Sequence, residues 1–138
     1  MNPYRAYQQQ TGFGMSRIDM LLALYDGALE RLGQACYLLG KGELREAQPL
    51  LARVQVLVGG LASGVDASGG TIPQNLLRLY EFVVHCCQAG NLDKVEAALR
   101  VMRTLQEGMQ AIRPEAMQLE RDGQIPALDT SPALQATA

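Results

Sequence analysis

Apolar residues recur at steps of three and four along most of this chain. Ile18, Leu21, Leu22, Tyr25, Leu29, Leu32, Cys36 and Leu39 fall on one face of a helix. Ser16-x-x-Asp19 just ahead is a near capping box, with Asp in place of Glu or Gln. Gly40-Lys41-Gly42 offers a glycine for a left-handed stop. A second helix starts near Glu43 and carries Leu44, Ala47, Leu51, Val54, Val58 and Leu61, a heptad-like seam. After a small-residue loop from Ser63 to Gly70, Thr71 is expected to cap a third helix, with Pro73 tolerated in its first turn. Ile72, Leu76, Leu79, Tyr80 and Val83 make its inward face, and Gly90-Asn91 its end. The fourth helix has Leu92, Val95, Leu99, Met102, Leu105, Met109 and Ile112. Pro114 stops it, and residues 115–121 add a short extra turn or two. No alternating run is flanked by a hairpin turn.

These elements predict an all-α fold, an antiparallel four-helix bundle with short connections. Residues 1–15 read as an N-terminal arm and 16–121 as the bundle. Residues 122–138, rich in Gly, Pro, Ser and Thr, read as a flexible C-terminal tail.

Three segments carry more apolar residues than one bundle stripe needs. They are Met20 to Tyr25, Val54 to Leu61 and Leu76 to Val84. No helix of a four-helix bundle is fully central, so the excess points to a groove for another polypeptide or to a dimer face. A thick core is the competing reading.

Composition narrows the chemistry. The chain has 138 residues, 12 basic and 14 acidic, with a net charge of -2. That balance gives no general pull toward nucleic acid. No apolar run reaches the roughly 18 residues of a membrane span, so stable membrane insertion is not expected. The first ten residues lack the apolar core of a secretory signal, and three cysteines make an odd count. Both fit a cytoplasmic protein. His85, Cys86 and Cys87 are consecutive and point about 100° apart on a helix, so they cannot all face one ion. The same geometry denies a Cys–His nucleophile pair. No phosphate loop, Glu-x-x-His pair or cofactor motif is present. The chain therefore reads as a non-enzyme without metal or cofactor. His85, mid-helix, leaves a phosphotransfer role open, although Gln88 stands where such modules usually place a lysine.

Leu24-Tyr25-Asp26-Gly27-Ala28, preceded by an apolar run, resembles the signature of the FliS family of flagellar export chaperones. Met1-Asn2-Pro3-Tyr4 and Ala6-Tyr7 are similar to that family's N-terminal arm. Gly69-Gly70-x-Ile72-x-x-Asn75-Leu76-x-x-Leu79-Tyr80 resembles its second signature, and Asn91-Leu92 its turn before the last long helix. The resemblance runs from Met1 to about Ile112. The chain departs from the pattern at Gly14-Met15-Ser16-Arg17, where only the serine is kept. It also has His85 and Cys86 in place of paired arginines, and no tryptophan.

The resemblance implies a helical bundle that binds the disordered C-terminal region of flagellin in the cytoplasm. It further implies prevention of premature polymerisation and delivery to the flagellar type III export gate. Leu21, Leu24 and Tyr25 are then expected to support or line the client surface, with Val56, Leu57, Leu76 and Tyr80. Asp26 would satisfy a polar contact or cap client amides. Gly27 would let a neighbouring helix approach, and Asn75 would hydrogen-bond client or loop backbone. Tyr7 is expected to help the arm cover the empty groove. Core packing is the competing reading at each helical position. A homodimer, and an adaptor for another secretion or motility client, stay open.

Overall fold

The computed structural model describes residues 15–124. The expected arm, with Tyr7, and most of the expected tail lie outside the described residues. Five α-helices lie among the described residues: α1 (Arg17–Gly40), α2 (Leu44–Ser63), α3 (Thr71–Ala89), α4 (Leu92–Ala111) and α5 (Arg113–Arg121). A single 3-10 turn, Ala67–Gly69, lies between α2 and α3. No strand occurs among the described residues. No described helix is long and apolar enough to cross a membrane.

Local chemistry sets the boundaries. Ser16 Oγ accepts from the Asp19 backbone N–H at 3.2 Å and starts α1. The reciprocal half of the box is missing because the Asp19 carboxylate is turned to Arg113 on α5. At the far end, Gly42 has a positive φ of 79°, and Glu43 N–H bonds Leu38 O while Gly42 N–H bonds Leu39 O. Those two bonds make a Schellman stop. Gly90, with φ 72°, ends α3, and Asn91 Oδ1 accepts from Lys94 N–H at 2.9 Å to start α4. Thr71 does not cap α3, contrary to expectation. Gly70 occupies that position with φ 112°, a conformation that a β-branched residue does not reach. The loop is tied down instead by Gln74 Nε2, which donates to Ala67 O at 3.2 Å.

The helices pack as an up-down-up-down bundle. α1 packs chiefly on α2 and α4, and α3 on the same two, so α1 and α3 are diagonal. α5 folds back over the start of α1. Tyr25, Leu32, Val54, Val58, Leu61, Val83, Cys86, Val95 and Met102 are enclosed at the centre. The small residues Ala28, Ala35, Ala47 and Ala98 are enclosed with them. Leu44, Ile72 and Ile112, expected inside, are exposed. Each sits in or beside the first or last turn of a helix, where the stripe overhangs the end of the neighbouring helices. Leu79 is also partly out, because Tyr80 and Val83 take the centre of the α3 face.

Candidate functional site

The Leu24–Ala28 segment ties α1 to all three other helices of the bundle. Successive residues of a helix point about 100° apart, and three in a row here have three different partners. The Tyr25 hydroxyl pairs with the Tyr80 hydroxyl of α3 across the bundle diagonal. Asp26 Oδ1 accepts from Gln106 Nε2 of α4 at 3.2 Å. At Gly27, a Cβ would stand 3.4 Å from Leu57 Cδ1 of α2, so α2 packs closely against this position. Leu24 does the converse, reaching toward Gly60 of α2, whose Cβ position is 3.7 Å from Leu24 Cδ1.

The two sequence signatures therefore meet inside the molecule. Tyr25 is 0% exposed and Tyr80 is buried with it, their rings tilted at 48° with centroids 6.4 Å apart. Burial pushes both phenols above their ordinary range. A buried hydroxyl requires a partner, and each supplies the other's. Among the described residues no buried side-chain polar atom is left without one.

This placement sorts the expected client residues. Tyr25 and Tyr80 are enclosed, so neither lines an outer surface. Leu21, Leu24, Leu57 and Leu76 are half-buried against the core. Val56 is 61% exposed on the crest of α2. Asp26 and Asn75 are exposed, and Asn75 Oδ1 accepts from Arg78 Nη1 at 3.4 Å. The structure brings Leu24 and Leu57 together with Val56 near by. It leaves Asn75 at the start of α3 and Asp26 on the side of α1 that faces α4.

Two shallow grooves flank α2. One, of about 450 Å3, runs over α1 and α2 and is lined by Gly33, Gln34, Tyr37, Leu38 and Leu50. The other, of about 280 Å3, lies between α2 and α3, with Gly59, Ala62, Leu77 and Val84 on its walls and His85 at its edge. Residues 54–63 of α2 contain no charged residue, although Val56, Gly59, Gly60 and Ser63 face outward. Sequence reasoning singled out Val56 and Leu57 but missed Tyr37, Leu50, Leu77 and Val84. Only the pairing of helices shows that Tyr37, Leu77 and Val84 border α2 and that Leu50 faces the α1 groove.

The His85-Cys86-Cys87 run diverges as helical geometry requires. His85 is exposed while both thiols are buried. Burial raises both thiol pKa values, that of Cys87 to about 12, which keeps them protonated and unreactive. No cluster of three potential metal ligands occurs among the described residues.

Comparison with known proteins agrees with this arrangement. The family model of the flagellar protein FliS matches residues 1–118. The flagellar secretion chaperone FliSB of Pseudomonas aeruginosa is 30% identical over 98 residues, which cover 65% of this chain and 78% of that protein. The Tyr25 and Tyr80 signatures, joined in one core and matched along most of the chain, place this protein in the FliS family.

Proposed function

We propose that this protein is a cytoplasmic flagellar export chaperone, without enzymatic activity or cofactor. Its client is the disordered C-terminal region of flagellin, which it keeps from premature polymerisation and delivers to a component of the type III export gate. The observation that carries this reading is the charge-free outer face of α2, residues 54–63, with the apolar groove between α2 and α3 beside it. A solvent-facing helix surface of a monomer ordinarily carries charge, and an apolar one marks a contact. Open space at Gly59, with no atom within 4 Å of its Cβ position, lets a polypeptide approach the α2 backbone. A chain that orders as it binds gives up part of its interaction energy to ordering, so it needs a broad apolar surface and not one pocket. Leu24, Leu57 and Val56 lie in that surface, and Leu76 at its α3 border. Membership of the FliS family and the similarity to a flagellar secretion chaperone support the same client class.

Calorimetric titration with the C-terminal peptide of flagellin from the same organism tests the reading. Binding near one-to-one with a negative heat-capacity change is expected. Val56→Glu and Gly59→Glu place a charge on the exposed crest without touching the core, and should weaken binding at least tenfold while the helical circular dichroism is kept. A folded protein that ignores the peptide would move the adaptor role, with a different client, to first place.

A further inference from the structure

α1 and α2 run antiparallel in a register that two close approaches fix. Leu24 Cδ1 lies 3.7 Å from the Cβ position of Gly60, and Leu57 Cδ1 lies 3.4 Å from that of Gly27. Each step of three or four residues up α1 is therefore matched by an equal step down α2. Four residues on from Gly27 and Leu57, that register sets Arg31 opposite Arg53. Three further on it sets Gln34 opposite Leu50, and those two do line one groove. Two arginines thus face each other across the α1–α2 seam. Gly27 and Leu57 lie on one side of them, and the groove with Tyr37, Leu38 and Leu50 on the other.

Neither arginine has a counter-charge among the described residues. Arg31 is half-buried, and its Nη1 donates to Gly27 O at 3.0 Å. That bond holds the guanidinium beside Gly27, whose Cβ position is 3.4 Å from both Arg31 Nη1 and Leu57 Cδ1. Arg31 makes no other hydrogen bond among the described residues, and Arg53, which is exposed, makes none. The ion pair found there is Arg113–Asp19. Glu30, next to Arg31, and Glu46, two turns before Arg53, are exposed and bridge to neither. Like charges on neighbouring positions repel, so the stability of the fold does not account for this pair.

We propose that Arg31 and Arg53 together receive an aspartate or glutamate of the bound client, and so select an acidic residue in the segment that lies on the α1–α2 seam. The inference rests on the flagellin reading above. Leu24 and Leu57, next to the pair, belong to the surface assigned to the client. A segment that covers them also strips water from the half-buried Arg31. A desolvated charge left unpaired is costly. A carboxylate instead matches the planar fork of a guanidinium with two parallel hydrogen bonds, so the covering segment brings the anion. The arginine row is separated from the rows on either side by roughly 4.5–6 Å along the helix axis. A helical client segment therefore carries its acid three or four residues from an apolar side chain in each direction. The occupant is an amphipathic helix with one carboxylate inside its apolar stripe.

The test is calorimetric titration of the full chain with the flagellin C-terminal peptide, at low and at high salt. Arg31→Gln combined with Arg53→Gln should weaken binding about tenfold at low salt, and less at high salt, where the charges are screened. Arg53→Gln alone, at an exposed position outside the core, should already weaken it severalfold, with the helical circular dichroism kept. Peptides with each Asp or Glu exchanged in turn for its amide complete a double-mutant cycle. One such exchange should cost the wild type about tenfold and cost the double variant nothing further. Unchanged affinity in the double variant, or an equal loss in both proteins for every exchange, overturns the arginine site and leaves the flagellin reading standing. A folded wild type that ignores the peptide overturns that reading and this inference with it.

Discussion

α1 is held in two different ways within three turns. At its start, Asp19 and the Arg17 amide are gripped from outside by α5 through contacts that water reaches. At Tyr25, α1 is gripped from inside by α3 through an enclosed hydroxyl pair, while its neighbours Asp26 and Gly27 meet α4 and α2 nearer the surface. The first grip competes with solvent at every moment. The hydroxyl pair does not, because breaking it leaves either a void or an unpaired buried hydroxyl. The lesson is that a polar contact's worth depends on what replaces it when it opens.

The largest expected effect comes from breaking the inner grip outright. Tyr25→Ala removes an enclosed aromatic ring and should cost about 3–5 kcal/mol, a large share of a small domain's stability. Urea unfolding should show the midpoint collapsing, which makes this variant unsuitable as a folded control for client binding. Tyr25→Phe keeps the ring but orphans the Tyr80 hydroxyl, and should cost about 1–3 kcal/mol. Adding Tyr80→Phe should restore part of that loss, since two apolar groups need no partner. Additive costs in that double-mutant cycle would mean the hydroxyls do not act as a pair.

A smaller change tests the close approach at Gly27. An alanine Cβ would meet only flexible side-chain ends, Leu57 Cδ1 and Arg31 Nη1, both at 3.4 Å. Helix propensity favours alanine over glycine by roughly 0.8–1 kcal/mol. Gly27→Ala should therefore be neutral or stabilising by up to about 1 kcal/mol, whereas Gly27→Leu should cost about 1–3 kcal/mol by overpacking. A loss of stability with alanine in thermal melts would show that Leu57 cannot yield.

The outer grip should respond least in global stability but most in pH dependence. Hydrogen bonding to Arg113 lowers the Asp19 pKa from its ordinary value of 3.8. A carboxyl with a lower pKa in the folded state stabilises that state above its unfolded pKa, and the contribution fades as pH falls through the folded value. Acidification below pH 3.8 should thus loosen α5 before the bundle melts. Backbone amide spectra of residues 113–121 should shift in that window while the Tyr25 and Tyr80 signals hold. Asp19→Asn should remove the pH response.

Periodicity was enough to read the helices because each buries one stripe and each stop is chemical. Ser16, Gly42, Gly90 and Asn91 act where their residue types say they should. Thr71 misled because capping preference was read without the backbone angle at Gly70. Leu44, Ile72 and Ile112 misled because periodicity does not reveal where a neighbouring helix ends. The buried alanines Ala28, Ala35 and Ala98 were passed over because they are small, which is the very property that admits close packing.

By itself, the sequence determined the fold class, the order of the helices and the family, since these follow from local periodicity and from motifs of fixed spacing. Only the tertiary structure decided what the motif residues do. Tyr25, Asp26 and Gly27 are neighbours in the chain but face three different helices, and Tyr25 finds its partner 55 residues away. Which side of each helix is covered depends on which helices lie next to it. That depends on the packing of the whole bundle, which no local pattern encodes.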